Sequence, residues 1–438
     1  MEQIIQKNNL LVEYCLLTFV ILWSGGYFTY GLFPNWQYPL LLISLYILLK
    51  RGIRVERKNL LVVFAFALIA IAHTIVFDGP ITSIAQPTVR LLSIAMVAVI
   101  VRPNLNHVFI YITSFIAFFS LIFWFIDLTT EGHYFLLDVG KGLPQLGAST
   151  LTESNIDRYG YVNYTLYFYT VSDLPTDLPT DLVDSTHRNC GPFFEPGRFT
   201  IPLSISMSMI LFTENFKKYR IPFFIIFIAN LSTLSTTAYL IMITLFVGYF
   251  GARSNSENMR TVTMFLLALM ASYYLMGLGF MGEKISLALN DTDIANSRFG
   301  AMFYHWPQIL QSPWIGYGAF LNKIFPSTEM SPCGITDMMR FWGIPMFIVC
   351  VTILYQGTRT YLLDKRQYRI VFVTILLLIT YTQTIMNEPL LYLLYFIGSN
   401  EVAFDNGEFT DEDIFDEETS DDEDIINTYA EEVYAEEI

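Results

Sequence analysis

Charge is scarce in this chain. Asp, Glu, Lys and Arg make up only 15% of its 438 residues, against about 25% in an ordinary globular domain, so a large solvated surface is not what the composition encodes. Histidine is rarer still, with 5 residues, and the four cysteines at 15, 190, 333 and 350 form no CxxC pair and have no histidine at ligand spacing. Zinc-finger and zinc-ribbon patterns are thereby excluded, no metal is expected, and a Cys190–Cys333 disulfide stays open. The N-terminus lacks a basic stretch followed by a small-residue cleavage site, so the first apolar run is expected to be retained. A basic field is missing as well. The net charge is −15, yet residues 401–438 hold 17 of the 40 acids and no base, leaving 23 acids against 25 bases elsewhere. No nucleic-acid partner is expected from such a balance.

What the chain does have is apolar sequence, at 53% of residues. Apolar runs at 10–30, 36–49, 59–77, 88–101, 107–127, 197–213, 221–233, 236–250, 261–280, 335–356, 370–385 and 388–400 predict an all-α polytopic integral membrane protein with about twelve transmembrane helices. The stretch 221–250 is too long for one span, and its hydroxyl-rich segment 231–237 predicts a break there. With that break, the bases at 50–58, 102, 217–220, 253–260 and 359–369 fall on one side, which predicts cytoplasmic termini by the positive-inside rule. Two long loops, about 128–196 and 281–334, then face the other side. The domain division is 1–400 as the transmembrane part and 401–438 as an acidic, solvated, cytoplasmic tail. The near-repeat Asp-Leu-Pro-Thr over 172–182 reads as an extended connector.

The chemistry-bearing residues gather in the two loops. In Arg188-Asn189-Cys190-Gly191-Pro192-Phe193-Phe194-Glu195-Pro196-Gly197-Arg198, Pro196 suits the first turn of a helix, whose free N–H groups would lie beside two guanidiniums. That set reads as a phosphate cradle, because arginine matches phosphate geometry in a bidentate way. If the segment from 297 to 306 is helical, Arg298 and His305 lie two turns apart on one face. Glu13, His73, Arg90, Asp127, Arg340 and Glu388 fall inside or near apolar runs and are expected to be paired or to face a cavity. Asp127 needs no special role at a helix end.

Three pieces of this pattern recur together in a known family. They are Arg188-x-x-Gly-x-Phe-x-Glu-Pro-Gly197, the hydroxyl-rich break at 232–237, and Ser297-Arg298 followed by Pro313-Trp-Ile-Gly-Tyr-Gly318, with Gly334 to Ile344 closing the set. In this order they resemble the O-antigen polymerase and O-antigen ligase superfamily. The resemblance implies a metal-independent membrane glycosyltransferase of the GT-C kind, without cofactor, in the bacterial inner (plasma) membrane. Its expected activity is that of a polymerase joining repeat units linked to polyprenyl (undecaprenyl) diphosphate into a surface polysaccharide on the outer face: the O-antigen of lipopolysaccharide, a capsule or an exopolysaccharide. By motif position, Arg188, Arg198 and Arg298 would bind the diphosphate. Glu195 would be the catalytic base or acceptor-orienting group, with His305 second. Expected partners are the lipid-linked donor and acceptor and the bilayer, with a chain-length regulator as a candidate. Ligase members carry a His-Asn-like pair where this chain has Ser331-Pro332-Cys333, which favours the polymerase. The alternatives are ligase-type transfer and a transporter or flippase for an anionic lipid-linked substrate.

Overall fold

The computed structural model describes residues 2–26, 35–143, 162–173, 187–253, 298–325 and 333–397. Contacts divide the chain into Met1–Glu401 and Val402–Ile438, and the described residues all belong to the first unit. The expected span at 261–280, the connector over 174–182 and the tail lie outside them.

The helices are α1 (Glu2–Trp23), α2 (Gln37–Arg51), α3 (Arg57–Val76), α4 (Thr82–Val101), α5 (Leu105–Asp127) and α6 (Thr130–Gly142), followed by strands β1 (Val162–Thr165) and β2 (Thr170–Asp173). After these come α7 (Pro196–Phe212), α8 (Arg220–Ser232), α9 (Thr236–Arg253), α10 (Arg298–Gln311), α11 (Gly334–Trp342), α12 (Ile344–Gly357), α13 (Arg366–Thr382) and α14 (Pro389–Ile397). The break between α8 and α9 falls in the hydroxyl-rich segment, where Ser232 and Thr233 turn their hydroxyls back onto the carbonyls of Ala229 and Asn230. A second break divides the apolar run at 335–356. Gly343 sits there at φ 85°, and Pro345 follows in the first turn of α12.

Helix α7 is the axis of the body. Every residue from Gly197 to Phe212 is buried, under α5, α8, α9 and α13. Helix α4 is a second hub, packed against α1, α2, α3 and α14. Beside these, α6 and the antiparallel β1–β2 hairpin, with Val162 paired to Asp173 and Thr165 to Thr170, enclose a small core of their own around Leu136, Leu137, Leu166, Tyr169 and Val171.

This architecture corrects the expected fold class. Among the described residues, three segments are long and apolar enough to cross a membrane: Arg57–Val76, Thr82–Asp127 and Thr236–Arg253. Helices α2, α12, α13 and α14 have 15, 14, 17 and 9 residues, so the longest reaches only about 26 Å against the roughly 30 Å of a hydrocarbon core. An all-round apolar helix must be covered, and in α7 and α14 neighbouring helices do the covering. The expected loops are not simple connectors either, since 128–196 contains α6 and the hairpin and 281–334 contains α10. The all-α, GT-C-like bundle of about twelve transmembrane helices with two extracytoplasmic loops is therefore replaced by a packed helical body with one small hairpin.

The functional expectations built on that bundle fall with it. These are the polysaccharide polymerase, its ligase and flippase alternatives, the metal-independent membrane glycosyltransferase activity, and the multi-pass inner-membrane placement with both termini cytoplasmic. Each required a full set of spans. Some apolar side chains do stay outside the packing. Leu61 and Phe64 on α3 are 65% and 59% exposed, and Leu49 on α2 is 73% exposed.

Candidate functional site

Helix α7 starts as its sequence predicts. Glu195 is the N-cap residue in extended conformation, and Pro196 occupies the first turn, where its missing N–H costs nothing. The Glu195 carbonyl accepts from the amides of Arg198 and Phe199 at 3.0 and 3.2 Å. Its side chain makes no capping bond. Helix α14 repeats the device: Glu388 precedes Pro389, and its carbonyl accepts from Leu391 and Tyr392, each at 3.2 Å.

The two Glu-Pro starts meet through Arg198. This residue lies in the first turn of α7 and is 7% exposed. Its NH1 lies 3.4 Å from Glu388 Oε1, and its NH2 donates to Thr384 Oγ1 at 2.9 Å. The guanidinium also sits over the Phe194 ring, 5.3 Å from its centroid. Arg198 Nε makes no hydrogen bond among the described residues. The cavity beside the ion pair, lined by Ser24, Phe193, Arg198, Pro202, Ile385 and Glu388, has about 10 Å³, which is room for one water at most. Glu388 thus neutralises the buried guanidinium.

A third helix start comes to the same turn. A Cβ added at Gly197 would collide with the Gln383 side chain, and one at Gly334, the first residue of α11, would collide with the Gln383 carbonyl and the Thr380 carbonyl. Only glycine permits the approach at Gly334, where the clash is with backbone, while at Gly197 the end of the Gln383 side chain would have to shift. The first turns of α7 and α11 therefore converge on the segment 383–388, and both bring their positive dipole ends.

Helix α11 adds a charged pair at i, i+3 spacing, Asp337 and Arg340. Arg340 is 1% exposed. Its backbone carbonyl accepts from Tyr317 N at 2.8 Å, and two residues further on Trp342 Nε1 donates to Asn387 Oδ1 at 2.9 Å. The Pro313–Gly318 segment and α11 are in this way clasped together. Burial pushes the Asp337 carboxyl up to about 6, against the opposing pull of Arg340, and the charge of Glu388 adds to the rise. Burial likewise brings the His305 imidazole down to about 4, with the Arg340 charge acting in the same direction. His305 is 2% exposed on α10, with Nδ1 3.3 Å from Gln308 Oε1. Near neutral pH it is an uncharged group beside a guanidinium.

The sequence-predicted residues are thus distributed. Arg198 and His305 join one polar system through Glu388, Asp337 and Arg340. Arg188 donates Nε to Thr233 O at 3.2 Å, next to Asn189, whose amide bonds both Ser232 and Ser120 side chains at 2.9 and 3.2 Å. The Arg188 motif and the hydroxyl-rich break are accordingly one structural unit. Arg298 opens α10, and its side chain lies outside the described residues. The four cysteines are free thiols, and no Cys190–Cys333 bridge forms.

Thr384 and Gln383 were not singled out in the sequence. Asp337 was missed too, although its i, i+3 spacing to Arg340 is visible there. Three of the polar groups expected to be paired or to face a cavity have contacts across the chain. Glu13 pairs with Arg51 at 3.2 Å, His73 Nε2 meets Ile315 O at 2.6 Å, and Arg90 lies over Trp36 at 5.9 Å. Asp127, expected to be unremarked, instead meets two histidines. In comparisons with known proteins, no family model matches this chain and no curated protein matches it.

Proposed function

We propose that the protein binds an anionic, phosphate-bearing ligand where the starts of α7 and α11 converge on residues 383–388. The observation that carries the reading is Arg198. It is a buried guanidinium in the first turn of a helix, with NH1 and NH2 held by Glu388 and Thr384 and with Nε making no hydrogen bond among the described residues. Two helix N-termini, Arg198 and Arg340 supply positive potential, and Glu388 and Asp337 balance it while no ligand is bound. An incoming phosphate exchanges with the Glu388 carboxylate on Arg198. Thr384 Oγ1 and the Gln383 amide are neutral groups at hand to complete its hydrogen bonds.

The motif order shared with the O-antigen polymerase and ligase superfamily enters this proposal only through these residues. Polyprenyl diphosphates belong to the same ligand class, and pyrophosphate is the smallest probe that carries a diphosphate. The test is calorimetric titration of the purified full-length chain with pyrophosphate, and separately with vesicles containing phosphatidic acid. Saturable pyrophosphate binding that weakens at least tenfold in Arg198→Gln supports a phosphate site. Binding confined to the vesicles, with the same dependence on Arg198, identifies a lipid-borne phosphate. Equal affinity in wild type and Arg198→Gln, or no binding to either probe, overturns the reading.

A further inference from the structure

A second polar cluster lies at the far end of α5, outside the arginine system. Asp127 is the last residue of that helix and is 2% exposed. Its Oδ1 is 2.8 Å from His133 Nδ1, and its Oδ2 is 3.5 Å from His187 Nδ1. Tyr169 donates its hydroxyl to Oδ2 at 2.7 Å. One ligand-type atom from each of Asp127, His133 and His187 lies within 4.8 Å of the others. The two imidazole rings stand edge to face, with centroids 5.4 Å apart.

Each member is held by its own piece of backbone. His133 lies in the first turn of α6, whose start is fixed by Thr129 accepting from Gly132 N at 3.1 Å. Trp124 on α5 donates Nε1 to the His187 carbonyl at 2.8 Å. Tyr169 is fully buried in the small core under the hairpin, with its ring stacked on Phe123 at 6.3 Å. A helix end, a helix start, the hairpin and His187 are thus brought to one point. The positions of the side chains are set before any ion arrives, which lowers the ordering cost of binding.

We propose that Asp127, His133 and His187 form a binding site for a divalent transition metal of the zinc class. Two imidazoles and one carboxylate are a borderline donor set, suited to zinc, cobalt or nickel rather than to calcium or magnesium, which take oxygen-rich shells. Three protein ligands leave a fourth tetrahedral position for water or a ligand, as in sites of the catalytic type. Ligand atoms about 2.05 Å from a tetrahedral zinc lie roughly 3.3 Å apart. The 2.8 Å contact between Asp127 Oδ1 and His133 Nδ1 must therefore open by about half an ångström, the 3.5 Å contact of His187 being with the other carboxylate oxygen, Oδ2, and the three ligand atoms, within 4.8 Å of one another, settle to the tetrahedral spacing by small side-chain shifts. Tyr169 acts from behind the carboxylate, fixing its orientation in the manner of an outer-shell partner.

The experiment uses the full-length chain, stripped with chelator and dialysed against zinc or cobalt at micromolar concentration. Elemental analysis is expected to give one zinc per chain, and the cobalt form the intense visible bands of a tetrahedral N2O site. His133→Gln and the double variant His133→Gln/His187→Gln should lose zinc affinity at least tenfold and a hundredfold, respectively. Tyr169→Phe keeps the aromatic ring and should weaken binding by a smaller factor. Folding of each variant is checked by circular dichroism, and because the wild-type stoichiometry and cobalt spectrum need no variant, a misfolded mutant does not rescue the proposal. Absence of bound metal in the wild type overturns it. So does an octahedral cobalt spectrum, or a stoichiometry that the folded double variant retains.

Discussion

The Arg198 cluster joins side chains 190 positions apart in the chain, whereas Asp127 and His133 are six apart and meet across one corner between two helices. The first is a balance of opposite charges, in which Glu388 occupies a guanidinium that a better anion can take over. The second is built around one carboxylate that several donors share. The difference teaches that the proposed Arg198 site works by exchange of one anion for another, and that the proposed Asp127 site is held by hydrogen bonds already in place. Removing a member of the first should act mainly on anion affinity, and removing Asp127 from the second should act strongly on stability.

The largest effect that tests this contrast is on stability. Asp127→Ala strips His133, His187 and Tyr169 of a common acceptor in a buried place, and should lower unfolding free energy by about 3 kcal/mol in a denaturant melt. Pyrophosphate affinity should stay unchanged. A loss below about 0.5 kcal/mol would mean that the cluster is not a preset unit.

The next effect is on pH dependence. Sulfate keeps its charge over the window, so its binding reports the protein alone. Asp337 titrates near 6. Below that pH it is neutral and leaves the Arg340 charge uncompensated, and above it the carboxylate opposes the anion. Sulfate affinity should therefore fall as pH rises from 5 to 7.5, by at least about tenfold for one charge a few ångströms from the ligand at an effective dielectric of about 20. Asp337→Asn should flatten the profile. His305, brought down to about 4, stays neutral in this range, so His305→Gln should leave the slope as it is. A profile that rises with pH would contradict the role given to Asp337.

A smaller gain is expected from Glu388→Gln, which keeps the shape of the residue and removes the competing charge. Pyrophosphate affinity measured by titration should rise about threefold to fivefold, roughly 0.6 to 1 kcal/mol, and a decrease would show that Glu388 assists binding. The smallest effect belongs to a surface pair outside both clusters. Lys365 and Glu214 are paired with side chains 47% and 37% exposed, and Lys365→Ala should cost less than about 1 kcal/mol in the same melt, with no change in either ligand.

Much of the local organisation is legible in the residues. Glu195-Pro196 starts a helix and the hydroxyl-rich segment after Leu231 interrupts one, because each depends on backbone chemistry within a few residues, whereas the run 335–356, read as one span, is divided at Gly343. The apolar run lengths were misleading for a physical reason. Hydropathy records that a segment leaves water, but an all-round apolar helix such as α7 satisfies that demand under other helices as well as in lipid. The candidate sites were legible in part. Arg198 and His305 stand out by type, whereas their joining through Glu388, Asp337 and Arg340 depends on how α7, α10, α11 and α14 pack.

Taken by itself, the sequence determined the helical character, the helix starts at the Glu-Pro pairs, the break after α8 and the separation of an acidic tail by composition. These follow from short-range conformational preference and from the transfer of apolar side chains out of water. Only the tertiary structure decided which charges meet. The Arg198–Glu388 pair and the Asp127–His133–His187 cluster gain their energy from burial and from distances of a few ångströms, and electrostatic strength depends on separation and surrounding dielectric rather than on residue type.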